Sequence, residues 1–266
     1  GSILDEEAVN NALKDEWDVV AHLAAFKAAG ESMINQSKYA LNNITGSLNL
    51  IRACHTHKVN SFILSSSAAV YGEPQYLPID EQHPTHPMNY YGYTKRVIEE
   101  NLEWFHQLHQ SNYVSLRYFN AAGYDCDGKM VGLEKNPANL IPVVMEVAMG
   151  KRKSIQVFGN DYKTSDGTGV RDYVHVTDLA DAHVRAADFL LNRKDSIIVN
   201  LGSESGLSVQ EIIDETRKIT GKEIREEIVA RRAGDPAKLV ASSQKAKELL
   251  GWEAKHSSLN QIIKST

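Results

Sequence analysis

The sequence predicts an α/β protein built on a doubly wound parallel sheet. Two observations carry this. Apolar, partly β-branched runs recur at residues 17–24, 61–66 and 113–119. Between them lie longer segments whose apolar residues have helical spacing, and such strand–helix alternation makes a parallel sheet covered on both faces. A chain of 266 residues has room for one large or two modest domains.

Taken in order, DEEAVNNALK (5–14) has helical spacing and an acidic start. WDVVAHLA (17–24) is the first strand, apolar enough to be buried on both faces. A helix of several turns falls within 36–57. SFILSS (61–66) is the second strand and ends in serines. A helix begins at Tyr91 and runs to about His109, and YVSLRYF (113–119) is the third strand. The pattern then loosens. Residues 120–137 read as a long loop, 138–150 as a helix closed by Gly150, 154–159 as a strand and 160–169 as a turn-rich loop. VRDYVHV (170–176) reads as one strand, followed by a helix with Thr177 as its N-cap. SIIVNLG (196–202) is predicted to return to the main sheet. The expected organisation is an α/β domain over 1–119, to which part of 171–202 returns, and a smaller α/β domain over 120–266.

Composition narrows the function. No apolar run approaches the roughly 18 residues of a membrane span. A net charge of −5 leaves no footprint for nucleic acid. Two cysteines, Cys54 and Cys126, suit a reducing compartment such as the cytoplasm better than a disulfide framework. His106 and His109 are three apart without a carboxylate at ligand spacing, so no metal site is expected.

Chemistry gathers between residues 65 and 95. Ser65, Ser66 and Ser67 close the second strand, and open α/β sheets place their active groups at carboxyl ends of strands. Tyr91 and Lys95 are four apart, which a helix puts on one face. A phenol near pKa ≈ 10 is a poor base at neutral pH. A close ammonium group and a bound nicotinamide cation favour the phenolate, and lowering the pKa by about 3 units is worth roughly 4 kcal/mol. Tyr-x-x-x-Lys is common by chance; the serines upstream make this one a candidate for hydride chemistry at a sugar alcohol.

Long segments then identify a resemblance. HLAAFKAAGES (22–32), SSSAAVYG (65–72), YYGYTK (90–95), LRYFNAAG (116–123), the glycine-rich block VFGNDYKTSDGTGVRDYVHVTDLADAHV (157–184) and RRAGDP (231–236) resemble the extended short-chain dehydrogenase/reductase family, and within it the UDP-glucose (UDP-galactose) 4-epimerases. The resemblance implies a Rossmann-like NAD domain over 1–119, a UDP-sugar domain over 120–266, and a homodimer built on helices such as 36–57 and 91–109. It implies that Tyr91 takes the proton of the sugar 4-hydroxyl while NAD accepts the C4 hydride. Lys95 then keeps Tyr91 anionic and Ser67 assists at the hydroxyl. Leu23, Ala24, Ala25, Lys27, Asn42, Ser65 and Tyr118 match cofactor positions. Leu23 and Ala24 would otherwise be sheet core. Lys27, Asn120, Asn139, Leu140, Phe158, Arg171, Arg232, Asp235 and Leu239 match positions around the UDP-sugar. Asn139 is equally a helix cap, Phe158 equally core, and a lone arginine equally a solvated surface charge.

Related sugar-nucleotide dehydratases and decarboxylases carry acidic side chains where this chain has Ala68 and Ala69. Alanine supplies no proton for water elimination, which favours epimerisation. Leu239 is intermediate in size at the position that gates the sugar 2-substituent, so UDP-N-acetylhexosamines and UDP-pentoses stay open beside UDP-glucose. A catalytically silent NAD or nucleotide-sugar scaffold is the reading from another class. The resemblance also implies a strand, a glycine-rich turn and a helix, roughly 60 residues, ahead of residue 1. Without them, 17–24 is expected to be an exposed sheet edge. Leaving about four aliphatics uncovered there would cost roughly 6–12 kcal/mol, so an upstream segment or another cover is expected.

Overall fold

A computed structural model describes residues 1–130, 137–232 and 235–266. Residues 131–136 of the expected long loop, and 233–234 within RRAGDP, lie outside the described residues.

The first half runs α1 (Glu6–Ala12), β1 (Val20–His22), α2 (Ala29–Ser32), α3 (Gln36–Tyr39), a π-helical segment (Ala40–Thr45), α4 (Gly46–Thr56), β2 (Ser61–Ser67), a 3-10 turn (Ala68–Val70), α5 (Tyr90–His109) and β3 (Asn112–Tyr118). The second half runs β4 (Asn120–Ala122), α6 (Leu140–Ala148), β5 (Ile155–Phe158), β6 (Val170–Arg171), β7 (Tyr173–His175), α7 (Val176–Arg193), β8 (Ile197–Leu201), β9 (Leu207–Ser208), α8 (Val209–Thr220), β10 (Glu226–Val229), β11 (Lys238–Leu239), α9 (Gln244–Leu250) and α10 (Leu259–Ser265).

The main sheet is parallel, in the order β1-β2-β3-β8. Successive side chains of a strand face opposite sides, and β2 uses both. Phe62 and Leu64 pack with Ile51 of α4 and with Ile98 and Leu102 of α5. Ile63 faces the other way, into Leu179, Ala186 and Leu190 of α7. Burying each such side chain stabilises the fold by about 1.5–3 kcal/mol. The return of β8 beside β3 agrees with the pattern of residues 196–202. A second core unites Ile141 and Val144 of α6, Val157 of β5, Ile212 and Ile213 of α8 and Ile262 of α10.

Four sequence expectations need correction. The first strand spans only Val20–His22, shorter than the 17–24 expected; β1 is the edge of the described sheet, as expected, and Leu23 and Ala24 beyond it are exposed. Residues 170–176 are two strands in different sheets, parted at Asp172. The buried Asp172 carboxylate bends the chain by accepting hydrogen bonds from the backbone N–H groups of Ser203 (2.6 Å), Glu204 (3.0 Å) and Ala241 (3.1 Å). The N-cap of α7 is His175, not Thr177: its Nδ1 accepts from the Thr177 N–H at 3.1 Å. The stretch after Phe119 is not all loop, since β4 pairs with β7.

Among the described residues no helix is long and apolar enough to cross a membrane.

Candidate active site

The carboxyl ends of β2 and β3 set the site. Ser67 and Tyr118 are register partners there. Ser67 caps the following 3-10 turn, its Oγ accepting from the Ala69 N–H at 3.2 Å. Across from this turn α5 starts, capped by Asn89, whose side chain accepts from the Gly92 N–H at 2.8 Å. Gly92 lets the helix approach: a Cβ there would meet the Ala69 carbonyl oxygen at 2.3 Å. The Tyr91 N–H is itself held by Ser32 Oγ at 3.0 Å. Tyr91 is thereby fixed against the serine end of β2, its phenol close enough to Ser67 to feel its hydroxyl.

Lys95 lies one turn further along α5 and is buried. Its Nζ donates to the Ser65 carbonyl oxygen at 2.7 Å and stands 5.9 Å from the Tyr91 ring centre. Burial lowers Lys95 to about 8, opposed by the Glu99 charge. Tyr91 is raised by burial, against the hydrogen bond from Ser67. With the protein's own groups alone, desolvation wins, so the ammonium by itself does not make the phenolate; the charge of a bound nicotinamide is the other half of the sequence expectation.

Ser65 Oγ hydrogen-bonds Tyr118 Oη at 2.9 Å, and Tyr118 Oη meets His183 Nε2 at 2.7 Å. His183 Nδ1 lies 2.8 Å from the Leu179 carbonyl oxygen, so it carries the proton and Nε2 accepts from Tyr118. His183 was not legible as a site residue; its only signal is its place four after Leu179 on a helix packed against the sheet. Asn43 was missed in the same way. Its amide bridges the Phe26 N–H (2.9 Å), the Phe26 carbonyl (2.9 Å) and Thr94 Oγ1 (3.2 Å), tying the loop after β1 to α5. The predicted neighbour Asn42 donates to Asn43 Oδ1 at 3.0 Å.

Beside these groups opens a cavity of about 1000 Å³, at the upper end of the size of ligand clefts. It gathers Ser67, Tyr91 and Tyr118 from the main sheet side, and Lys27 from the loop after β1. From the other side come Asn120, Asn139, Leu140, Phe158, Arg171, Arg232, Asp235 and Leu239. Leu23, Ala24, Ala25, Asn42, Ser65 and Lys95 are not in its wall. Arg171 is ion-paired to Asp235, and neither is a free surface charge. Arg232 stacks over Phe158, 3.8 Å from guanidinium carbon to ring centre. Asn139 is the N-cap residue of α6 without a side-chain capping bond, which leaves its amide for the cavity. Ala68 and Ala69 line the same space.

The model for the NAD dependent epimerase/dehydratase family matches residues 1–202. The chain belongs to that family. Among its relatives is the UDP-glucose 4-epimerase of Halalkalibacterium halodurans, 43% identical over 265 residues, 99% of this chain and 79% of the other. Among solved structures, the UDP-glucose 4-epimerase of Brucella ovis in complex with NAD superposes with a TM-score of 0.97 at 40% identity, covering all of this chain and 82% of that one. A Stenotrophomonas maltophila UDP-glucose-4-epimerase with bound NAD and formylated UDP-arabinopyranose gives 0.95 at 39% identity, covering 100% and 80%. The family's cofactor fits the residues present. Leu23 and Phe26 are 61% and 39% exposed at the carboxyl end of β1, an apolar cradle where open α/β sheets take dinucleotides.

Proposed function

We propose that this protein interconverts UDP-glucose and UDP-galactose with NAD as a resident cofactor, and that Ser67, Tyr91 and Lys95 carry the chemistry. The observation that carries the reading is the convergence of Tyr91 and Ser67, with the buried Lys95 behind them, at the carboxyl ends of the strands, on a cavity whose far wall is the Arg171–Asp235 and Arg232–Phe158 cluster.

Tyr91 takes the proton of the sugar 4-hydroxyl and later returns it. Ser67 hydrogen-bonds the same hydroxyl and orients it. Lys95, held by the Ser65 carbonyl, supplies a fixed positive charge behind Tyr91. NAD, when bound, would supply an acceptor and donor for the C4 hydride and a positive charge that favours the phenolate. Leu23, Ala24, Ala25, Lys27, Asn42, Ser65 and Tyr118 form its binding side. Arg171 and Arg232 hold the diphosphate, for which the planar guanidinium is suited. Asp235 holds the ribose, Phe158 the uracil, and Asn120, Asn139 and Leu140 the sugar and nucleoside. Leu239 closes the space near the sugar 2-position. Ala68 and Ala69 place no acid or base beside the sugar, which supports epimerisation over water elimination. A UDP-N-acetylhexosamine or UDP-pentose is the second reading, favoured by the moderate size of Leu239 and the volume of the cavity.

The protein works as a homodimer in the cytoplasm. Tyr93, Trp104 and Leu108 stand exposed along α5, and Leu41 is exposed before α4; an apolar stripe of this kind marks a contact surface. Cys54 and Cys126 are unpaired, as a reducing compartment keeps them.

The test is turnover of UDP-galactose by the NAD-loaded protein and by Tyr91→Phe. Activity in the first and loss in the second is expected; a wild type that holds no NAD and converts nothing would leave the silent scaffold standing.

A further inference from the structure

Behind Lys95 lies a buried ion pair to which the mechanism above gives no part. Glu99 follows Lys95 by one turn on α5, so Tyr91, Lys95 and Glu99 share a helix face. Arg117 of β3 donates to it twice, Nε to Oε1 at 3.0 Å and Nη2 to Oε2 at 2.7 Å. Both residues are buried, at 4% and 5% exposure. Desolvating such a pair costs about what its attraction returns, and apolar replacements often do as well. Stability is therefore a poor account of it.

Two contacts point instead to the site. Glu99 Oε1 also accepts from Ser66 Oγ at 2.6 Å. Ser66 sits between Ser65, whose carbonyl holds Lys95, and Ser67, which meets Tyr91. The Glu99 charge also acts on Lys95 directly, favouring its protonated form against burial.

We propose that Glu99, clamped by Arg117, is a positioning residue for the epimerase reaction: it pins the serine end of β2 through Ser66 and stands as the negative charge one turn behind Lys95 on α5. This rests on the reading given under Proposed function. The other groups around Lys95 do not substitute for Glu99. His22 of β1 is held neutral, lowered to about 4 by burial and by Lys95 itself. Tyr91 on the same helix is raised by burial. Tyr118 of β3 is pushed up and His183 of α7 down, in each case by burial, so both are neutral near pH 7. Arg117 is a second buried cation, so removing Glu99 alone leaves its positive charge without a partner in the same buried region.

The test measures UDP-galactose turnover against pH in NAD-loaded wild type, Glu99→Gln, the double variant Glu99→Gln/Arg117→Met, and Ser66→Ala. Glu99→Gln keeps size and an acceptor for Ser66 but loses the negative charge. Its alkaline limb of kcat is expected to move about 1 pH unit lower, with KM changed less than about twofold. The double variant removes both charges, and its limb is expected to return to within about 0.3 unit of wild type. A merely structural pair would cost stability in both and leave the limb in place. Ser66→Ala keeps the pair and is expected to lower kcat about tenfold with the limb unmoved. An unmoved limb in Glu99→Gln, a double variant displaced as far as the single, or wild-type kcat in Ser66→Ala overturns the proposal. Should Glu99→Gln not fold, Ser66→Ala decides. A wild type inactive on UDP-galactose, or a fully active Tyr91→Phe, would instead sink the epimerase reading.

Discussion

Lys95 donates to the backbone carbonyl of Ser65 at 2.7 Å, so the cation of the site is fastened to the strand that carries Ser67. Replacing it removes a charge and an anchor together. Lys95→Met is expected to lower kcat about 100- to 10,000-fold, in the range of a lost acid–base group, with little change in KM. Because Lys95 also depresses His22, the same variant should raise the His22 titration, readable by NMR.

His22 itself predicts a pH dependence. Burial and Lys95 lower it from 6.5 to about 4. Between those values the unfolded chain binds more protons than the folded one, so stability falls as pH drops through the window. The loss between pH 7 and pH 5 is about 2 kcal/mol from this group. Urea unfolding at both pH values should show a difference smaller by that amount in His22→Gln, which keeps a partner for Ser47 Oγ, now 2.7 Å from the ring.

Leu239 pairs with Arg171 across β11 and β6 and lines the cavity. Leu239→Tyr is expected to reduce kcat/KM for UDP-N-acetylgalactosamine about 10- to 100-fold relative to UDP-galactose, and Leu239→Gly to shift the ratio the other way. Equal ratios in both variants would remove Leu239 from the sugar's surroundings.

Trp104 and Leu108 lie on the exposed face of α5. Trp104→Glu/Leu108→Glu is expected to convert a dimer to a monomer in sedimentation, because a desolvated unpaired carboxylate is costly at an interface. A wild type that sediments as a monomer would refute the contact surface.

Asp172→Ala is expected to destabilise the protein by about 3 kcal/mol, since the buried Ala241 N–H, the part-buried N–H groups of Ser203 and Glu204 and the Ser203 hydroxyl lose their acceptor together. Urea unfolding measures this directly.

Much of the fold was legible because its elements bury whole faces. The alternation of Phe62, Ile63 and Leu64, and the periodicity around Ile98 and Leu102, announce β2 and α5 without any tertiary knowledge. Tyr91 and Lys95 were legible for the same reason: their relation is local to one helix. What escaped depends on partners distant in the chain. Asp172 divides a continuous apolar run only because Ser203 and Ala241 come to it. Glu99 reads as an ordinary helix-surface acid until Arg117 is placed opposite.

The break at Asp172 has a bearing on how the sugar must move. A single residue joins Arg171, which lines the cavity, to β7, which pairs with β4 just beyond the carboxyl end of β3. That residue is itself bolted to two other segments. So short and rigid a tether leaves no hinge there for opposite walls to swing apart. Under the proposed epimerisation, a sugar ring that offers both faces to one hydride partner turns within the cavity itself, without help from movement at this joint.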